Sequence, residues 1–394
     1  MDNLQVVVVA SPFANMTSLY EVDPDADVLL IVPQDDRPFA PWNELRTEET
    51  QSANHITVAA APASRPGLRI KVCSRHLALA SRVFKNKLQF GSTRTAKQSD
   101  GRVHLKLADG LDPKAVRIVM DAIHGRGSKV PKSVDLETLA RIALFVDKFQ
   151  LLDAVEVYAE RWITKLDDML PDTYNRDLVL WIYISHVFHQ AEVFKAVTRV
   201  AAIHSPGPIR NLGLPIREKI IKHIDAQRQG LINQALTVLH QALDDLTSSS
   251  APCVKHHCDS LLLGELVKSL HRHRLVWPRP SRPFSGVSFV AIVEAAASGV
   301  SLHHQRWQGP VVEPWGSEGA VGGTKEGVQP VWTSLGGTMP ITPGASPEPV
   351  LRNGGFDLHE CGARKAVSRL DELEGLEDEV LGLELESSLG YQLY

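Results

Sequence analysis

The spacing of apolar residues changes character near residue 111. Before it, short runs alternate. In "LRIKVC" (68–73), Leu68, Ile70 and Val72 share one face, and in "GRVHLKL" (101–107) Val103, Leu105 and Leu107 do the same. "DADVLLIV" (25–32) is a short run rich in β-branched residues that ends at Pro33. Period two and β-branched enrichment predict three strands. The first two can pair as a hairpin with 33–67 at its tip. That stretch holds five prolines and no sustained period, and it reads as an insertion or long loop.

After residue 111, apolar residues recur at three- and four-residue steps, the period of amphipathic helices. Over 112–124, Val116, Val119, Met120 and Ile123 share a face, and Pro113 suits a first helical turn. Further helices are predicted at 135–147, with Asp135 as N-cap, and at 150–166. The polar break "DMLPDTYN" (168–175) follows. Helices are then expected at 177–189, 191–203, 214–246, 258–275 and near 287–297. Residues 301–355 are rich in Gly, Pro, Ser and Thr without a period, so chain entropy favours disorder. An acidic helix is expected at 362–383, with Val367, Leu370, Leu373, Leu376 and Val380 along one side. No repeat of 20 to 50 residues is present, which argues against a solenoid or propeller.

Composition narrows the class. The chain has 394 residues, enough for two domains, with 43% hydrophobic and 22% charged residues. A net charge of −4 supplies no basic field for nucleic acid or anionic membrane. No apolar run approaches the ~20 residues of a membrane span, and no signal-peptide pattern is present. These features predict an intracellular protein of the cytoplasm or nucleus, whose four cysteines are thiols or metal ligands.

Candidate chemistry is sparse, and no catalytic constellation is evident. His76 has only Cys73 and Ser74 nearby in sequence and no third group to orient it as a base. It is expected to satisfy backbone groups at a helix start. "HGRGSKVPKS" (124–133) lacks the spacing of a phosphate-binding loop and reads as a helix end with a glycine stop. "HRHR" (271–274) suits a helix C-terminus. The densest ligand set is Cys253, Cys258, His359 and Cys361, with His256 and His257 as alternates. Spacing leaves two readings open: one structural zinc ion, or ordinary thiols and histidines.

"DADVLLIV", "LRIKVCSRHLALASRVFKNKL" and "GRVHLKL", followed by amphipathic helices, resemble a BTB/POZ domain of the type found in filamentous fungi. The resemblance covers about 25–167. It matches Asp27 to the family's acidic residue at the first strand and His76 to its histidine. Leu77, Leu79 and Ala80 match the apolar core of its first helical hairpin, and Ser81 and Phe84 its Ser-x-x-Phe step. Weaker likeness to fungal relatives extends to "CDSLLLGELVKSL" and "HECG" and favours the zinc reading.

The expected fold is therefore α+β. A BTB/POZ-like small β-sheet with a helical cluster occupies 21–168, with an insertion at 33–67. An all-α domain (172–300), a disordered segment (301–355) and a C-terminal helix (356–384) follow, with tails at 1–20 and 385–394. The resemblance implies a non-catalytic protein-interaction module that forms a homodimer or heterodimer. Alternatives are a cullin-type ubiquitin-ligase substrate adaptor, opposed by the lack of a propeller or sandwich, and a transcriptional regulator. The latter is opposed by the lack of zinc fingers or a basic DNA-binding stretch.

Overall fold

The alternating segments pair as their period requires. In the computed structural model, which describes residues 18–42, 67–89, 97–248, 258–307 and 362–385, Val28–Val32 (β2) and Leu68–Val72 (β3) run antiparallel. Their register runs from Val28 opposite Val72 to Val32 opposite Leu68. The chain leaves the sheet after Val32 and returns at Gly67, where a Cβ would lie 1.8 Å from the Val32 carbonyl oxygen. Only glycine permits that approach. Val103–Lys106 (β4) lies parallel to β2 on its other side.

A fourth strand, Leu19–Glu21 (β1), lies parallel to β3, giving the sheet order β1-β3-β2-β4. The expected tail boundary at residue 20 therefore cuts through a strand. Three residues carry too little period to be read. Long-range bonds hold them instead: the Tyr20 hydroxyl donates to Asp121 at 2.9 Å, and Arg126 donates to the Glu21 carbonyl at 2.6 Å.

The helices are Ser74–Ala80 (α1), Arg82–Leu88 (α2), Pro113–Ile123 (α3), Leu136–Phe149 (α4), Leu152–Thr164 (α5) and Arg176–Val187 (α6). Ala191–His204 (α7), Glu218–Ser248 (α8), Cys258–Arg272 (α9), Phe289–Trp307 (α10) and Gly362–Asp378 (α11) follow. Short polar side chains start several of them. Asp112, Asp135 and Asn175 accept from the backbone amides of Ala115, Thr138 and Leu178. Some bounds depart from expectation. α10 runs on through 301–307, the start of the segment expected to be disordered, because 301–308 contains no Gly or Pro. Residues 308–355 lie outside the described residues. α11 stops at Asp378, and 380–384 is neither helix nor strand. Leu385, placed in a tail by the sequence, is buried.

Two apolar cores organise these elements. The first gathers the sheet, α1–α7 and the start of α8, from Val22 to Ile224, and also takes in Leu383 and Leu385. The second joins Ile203 and the rest of α8 to α9, α10 and α11. The polar break at 168–175 is thus no boundary between cores. α6, directly after it, is buried on all sides between α4 and α7, as an all-round apolar helix must be. The cores meet inside α8, between Ile224 and Leu231.

Candidate functional site

The candidate site is built around the turn where β3 leads into α1. Asp27, just before β2, reaches across to that turn. Its carboxylate accepts from the Ser74 amide at 2.7 Å and the Ser74 hydroxyl at 2.6 Å. Burial pushes the Asp27 carboxyl up, but these two bonds hold it below the usual carboxylate range. A carboxylate there also complements the positive end of the helix.

The histidine that satisfies backbone groups at this turn is His124, not His76. His124 Nε2 lies 3.0 Å from the Cys73 amide, and Nδ1 lies 2.9 Å from the Met120 carbonyl. The carbonyl requires a proton on Nδ1 and the amide requires a lone pair on Nε2, so the ring is the neutral Nδ1–H tautomer. Burial lowers its pKa, partly offset by the bond to Met120. His76 is exposed, with its ring centroid 4.8 Å from that of His124. The local half of the His124 role was visible in the sequence as a histidine before the Gly125 stop. Its partner fifty-one residues away was not.

The helical hairpin divides its apolar residues between two faces. Leu77 and Phe84 are fully buried, and Phe84 stacks on Phe149 at 4.5 Å between centroids. Ser81 joins α1 to α2. Its oxygen accepts from the Phe84 amide at 3.0 Å and its hydroxyl donates to the Phe149 carbonyl at 2.5 Å. Leu79, expected in the hairpin core, is instead 89% exposed, and Ala80 is half-buried. A two-turn helix packed along one side cannot bury positions 77 and 79 together, because they lie about 200° apart.

A cleft of about 440 Å³ lies elsewhere, between residues 35–41, the turn into α3 at 110–112, the middle of α4 at Arg141 and Leu144, and residues 212–214. Its charges are matched within the protein. Arg37 pairs with Asp35, and Arg141 pairs with Glu137 while lying over the Phe39 ring.

Of the expected zinc ligands, Cys253, His359 and Cys361, and the alternates His256 and His257, lie outside the described residues, as does the Cys258 side chain. The elements that flank them, α9 and α11, share the second core.

Comparison with protein-family models, with curated proteins and with solved structures gives no significant match. Among the described residues, no helix is long and apolar enough to cross a membrane.

Proposed function

We propose that this chain is a non-catalytic protein-interaction module, acting in the cytoplasm or nucleus, that dimerises through the exposed side of its first helical hairpin. The reading draws on the likeness of residues 25–167 to BTB/POZ domains. One structural observation carries it: Leu79 projects from α1 at 89% exposure beside residues packed into the core. Burying one leucine contributes about 1.5–3 kcal/mol, so a twofold contact that covers it from both copies gains a central apolar anchor. β1 adds an edge strand whose outer side pairs with no strand among the described residues.

Light scattering after size exclusion on the full chain tests this. The wild-type chain is expected to be a dimer at micromolar concentration. Leu79→Glu should be a monomer with an unchanged melting temperature, since the side chain is exposed within one copy. A wild-type chain that stays monomeric at high concentration, or a Leu79→Glu chain that still dimerises, overturns the reading.

A further inference from the structure

The turn into α1 brings together three ligand-type side chains, Asp23 and the Cys73–His76 pair fifty residues further on. Asp23 sits in the turn between β1 and β2, Cys73 is the residue before α1, and His76 lies in the first turn of α1. A carboxylate oxygen, the Cys73 Sγ and a ring nitrogen of His76 all lie within 4.8 Å of one another. We propose that Asp23, Cys73 and His76 bind a single zinc ion at the surface of the sheet-bearing core.

The donor set selects the ion. A thiolate and an imidazole suit zinc, whereas calcium and magnesium call for oxygen ligands throughout. Zinc bonds of roughly 2.0–2.3 Å in a tetrahedron place donors about 3.3–3.8 Å apart. The three groups therefore need to close by no more than about 1.5 Å, within reach of side-chain rotation. The spacing Cys73-x-x-His76 puts both groups on one side of the helix start, as positions three apart on a helix must be.

The backbone of the site is already held. The Val22 and Asp23 amides donate to the Lys71 carbonyl, and the Asp25 amide donates to Asp23 Oδ1 at 2.9 Å, which leaves Oδ2 for a metal. His124 fixes the Cys73 amide, and both its ring nitrogens are engaged, so it buttresses the site rather than joining it. Such outer support is typical of metal centres. His76 is exposed and Cys73 is half-buried, so the fourth coordination position faces solvent. Three protein ligands with an open position differ from the closed four-ligand set expected from Cys253, Cys258, His359 and Cys361.

Cobalt(II) is the probe. The full chain is stripped with a chelator and titrated with cobalt, and the near-ultraviolet thiolate-to-cobalt band is followed. A Cys253→Ser/Cys258→Ser variant removes any ion held by those two cysteines, and it should retain the band, which zinc should quench. On that background, Cys73→Ser should abolish the band. His76→Ala and Asp23→Asn should each weaken binding by more than about tenfold. His76 is exposed and the Cys73 side chain does not cap α1, so the metal-free variants should melt as wild type does. The proposal fails if the Cys253→Ser/Cys258→Ser chain shows no band. It also fails if Cys73→Ser leaves the band intact, or if only the cysteine matters and His76→Ala and Asp23→Asn bind as tightly as their parent.

Discussion

The two cores are built by different means. The first depends on pairings distant in sequence: a sheet that closes over fifty residues, and polar bonds such as Asp27 to Ser74, His124 to Cys73, and Arg176 to the Phe39 and Ala40 carbonyls. The second is helix on helix, fastened at its edges by ions, with Lys365 and Arg369 both on Asp245. A polar, proline-containing loop at 168–175 looks like the natural division, yet the cores divide in the middle of one uninterrupted helix. A polar loop records where the chain meets water. A core boundary records where apolar faces stop meeting one another, and nothing obliges the two to coincide.

The seam between the cores offers the strongest way to break the comparison. Arg228 is fully buried there. It pairs with Asp225 at 2.8 Å and donates to the carbonyls of Pro283, Phe284 and Val287. Arg228→Ala leaves Asp225 without its ion partner and three carbonyls without this donor. Removing one member of a buried pair costs about 3–5 kcal/mol, so denaturant unfolding should show a loss of that size. The second core should open first, because the 283–287 segment leads into α10. A loss below about 1 kcal/mol would mean that the seam does not depend on this ion.

Acid should separate the cores in the opposite order. His186 is buried in the first core on α6. Its Nδ1 has no hydrogen-bond partner among the described residues. Burial, then the charges of Arg217 and His189, pushes its pKa down from 6.5 to about 4. The folded state resists the proton that the unfolded chain accepts. Stability is therefore full above pH 6.5, falls as pH drops through the window to about 4, and is lowered by roughly 3 kcal/mol below it. His124 is shifted in the same direction. Urea midpoints between pH 7 and 4 should fall steeply for wild type and less steeply for His186→Phe, which cannot titrate. Equal slopes for the two chains would place the acid sensitivity elsewhere.

What could be read in advance was what is encoded locally. β2, β3 and β4 follow from period and composition, and the Asp135 cap and Pro113 start follow from preferences within one helical turn. β1 escaped because its three residues are held by Tyr20 on Asp121 and Arg126 on the Glu21 carbonyl. Leu79 was misplaced because seven residues of helix show no face until the neighbour that covers one is known. Arg228 did leave a signal. Ile220, Ile224, Arg228, Leu231, Ala235 and Leu239 recur at steps of three and four, and an arginine within such a stripe is a buried one. Asp23, Cys73 and His76 left none jointly, since only the closed sheet brings the β1–β2 turn to the start of α1.

Two glycines in the C-terminal segment give the finest test of the seam. At Gly382, φ is +77° and a Cβ would lie 2.1 Å from the Lys195 carbonyl oxygen. Around it, Leu383 donates its amide to the buried Thr198 hydroxyl at 2.9 Å, and Lys195 pairs with Glu384 at 2.7 Å. Gly382→Ala adds about 1–3 kcal/mol of backbone strain to a clash that rigid backbone cannot relieve. It should detach 380–385 from the first core, exposing Leu383 and Leu385, while α11 remains on α8. At Gly375, in α11, an added Cβ meets nothing within 4 Å and φ is helical. Gly375→Ala should therefore stabilise by about 0.5–1 kcal/mol. Hydrogen exchange separates the two effects: faster at 380–385 for Gly382→Ala, slower along α11 for Gly375→Ala. If Gly382→Ala instead speeds exchange throughout α11, the 380–385 segment and the helix dock as one unit, and the second core reaches further into the first than the division within α8 implies.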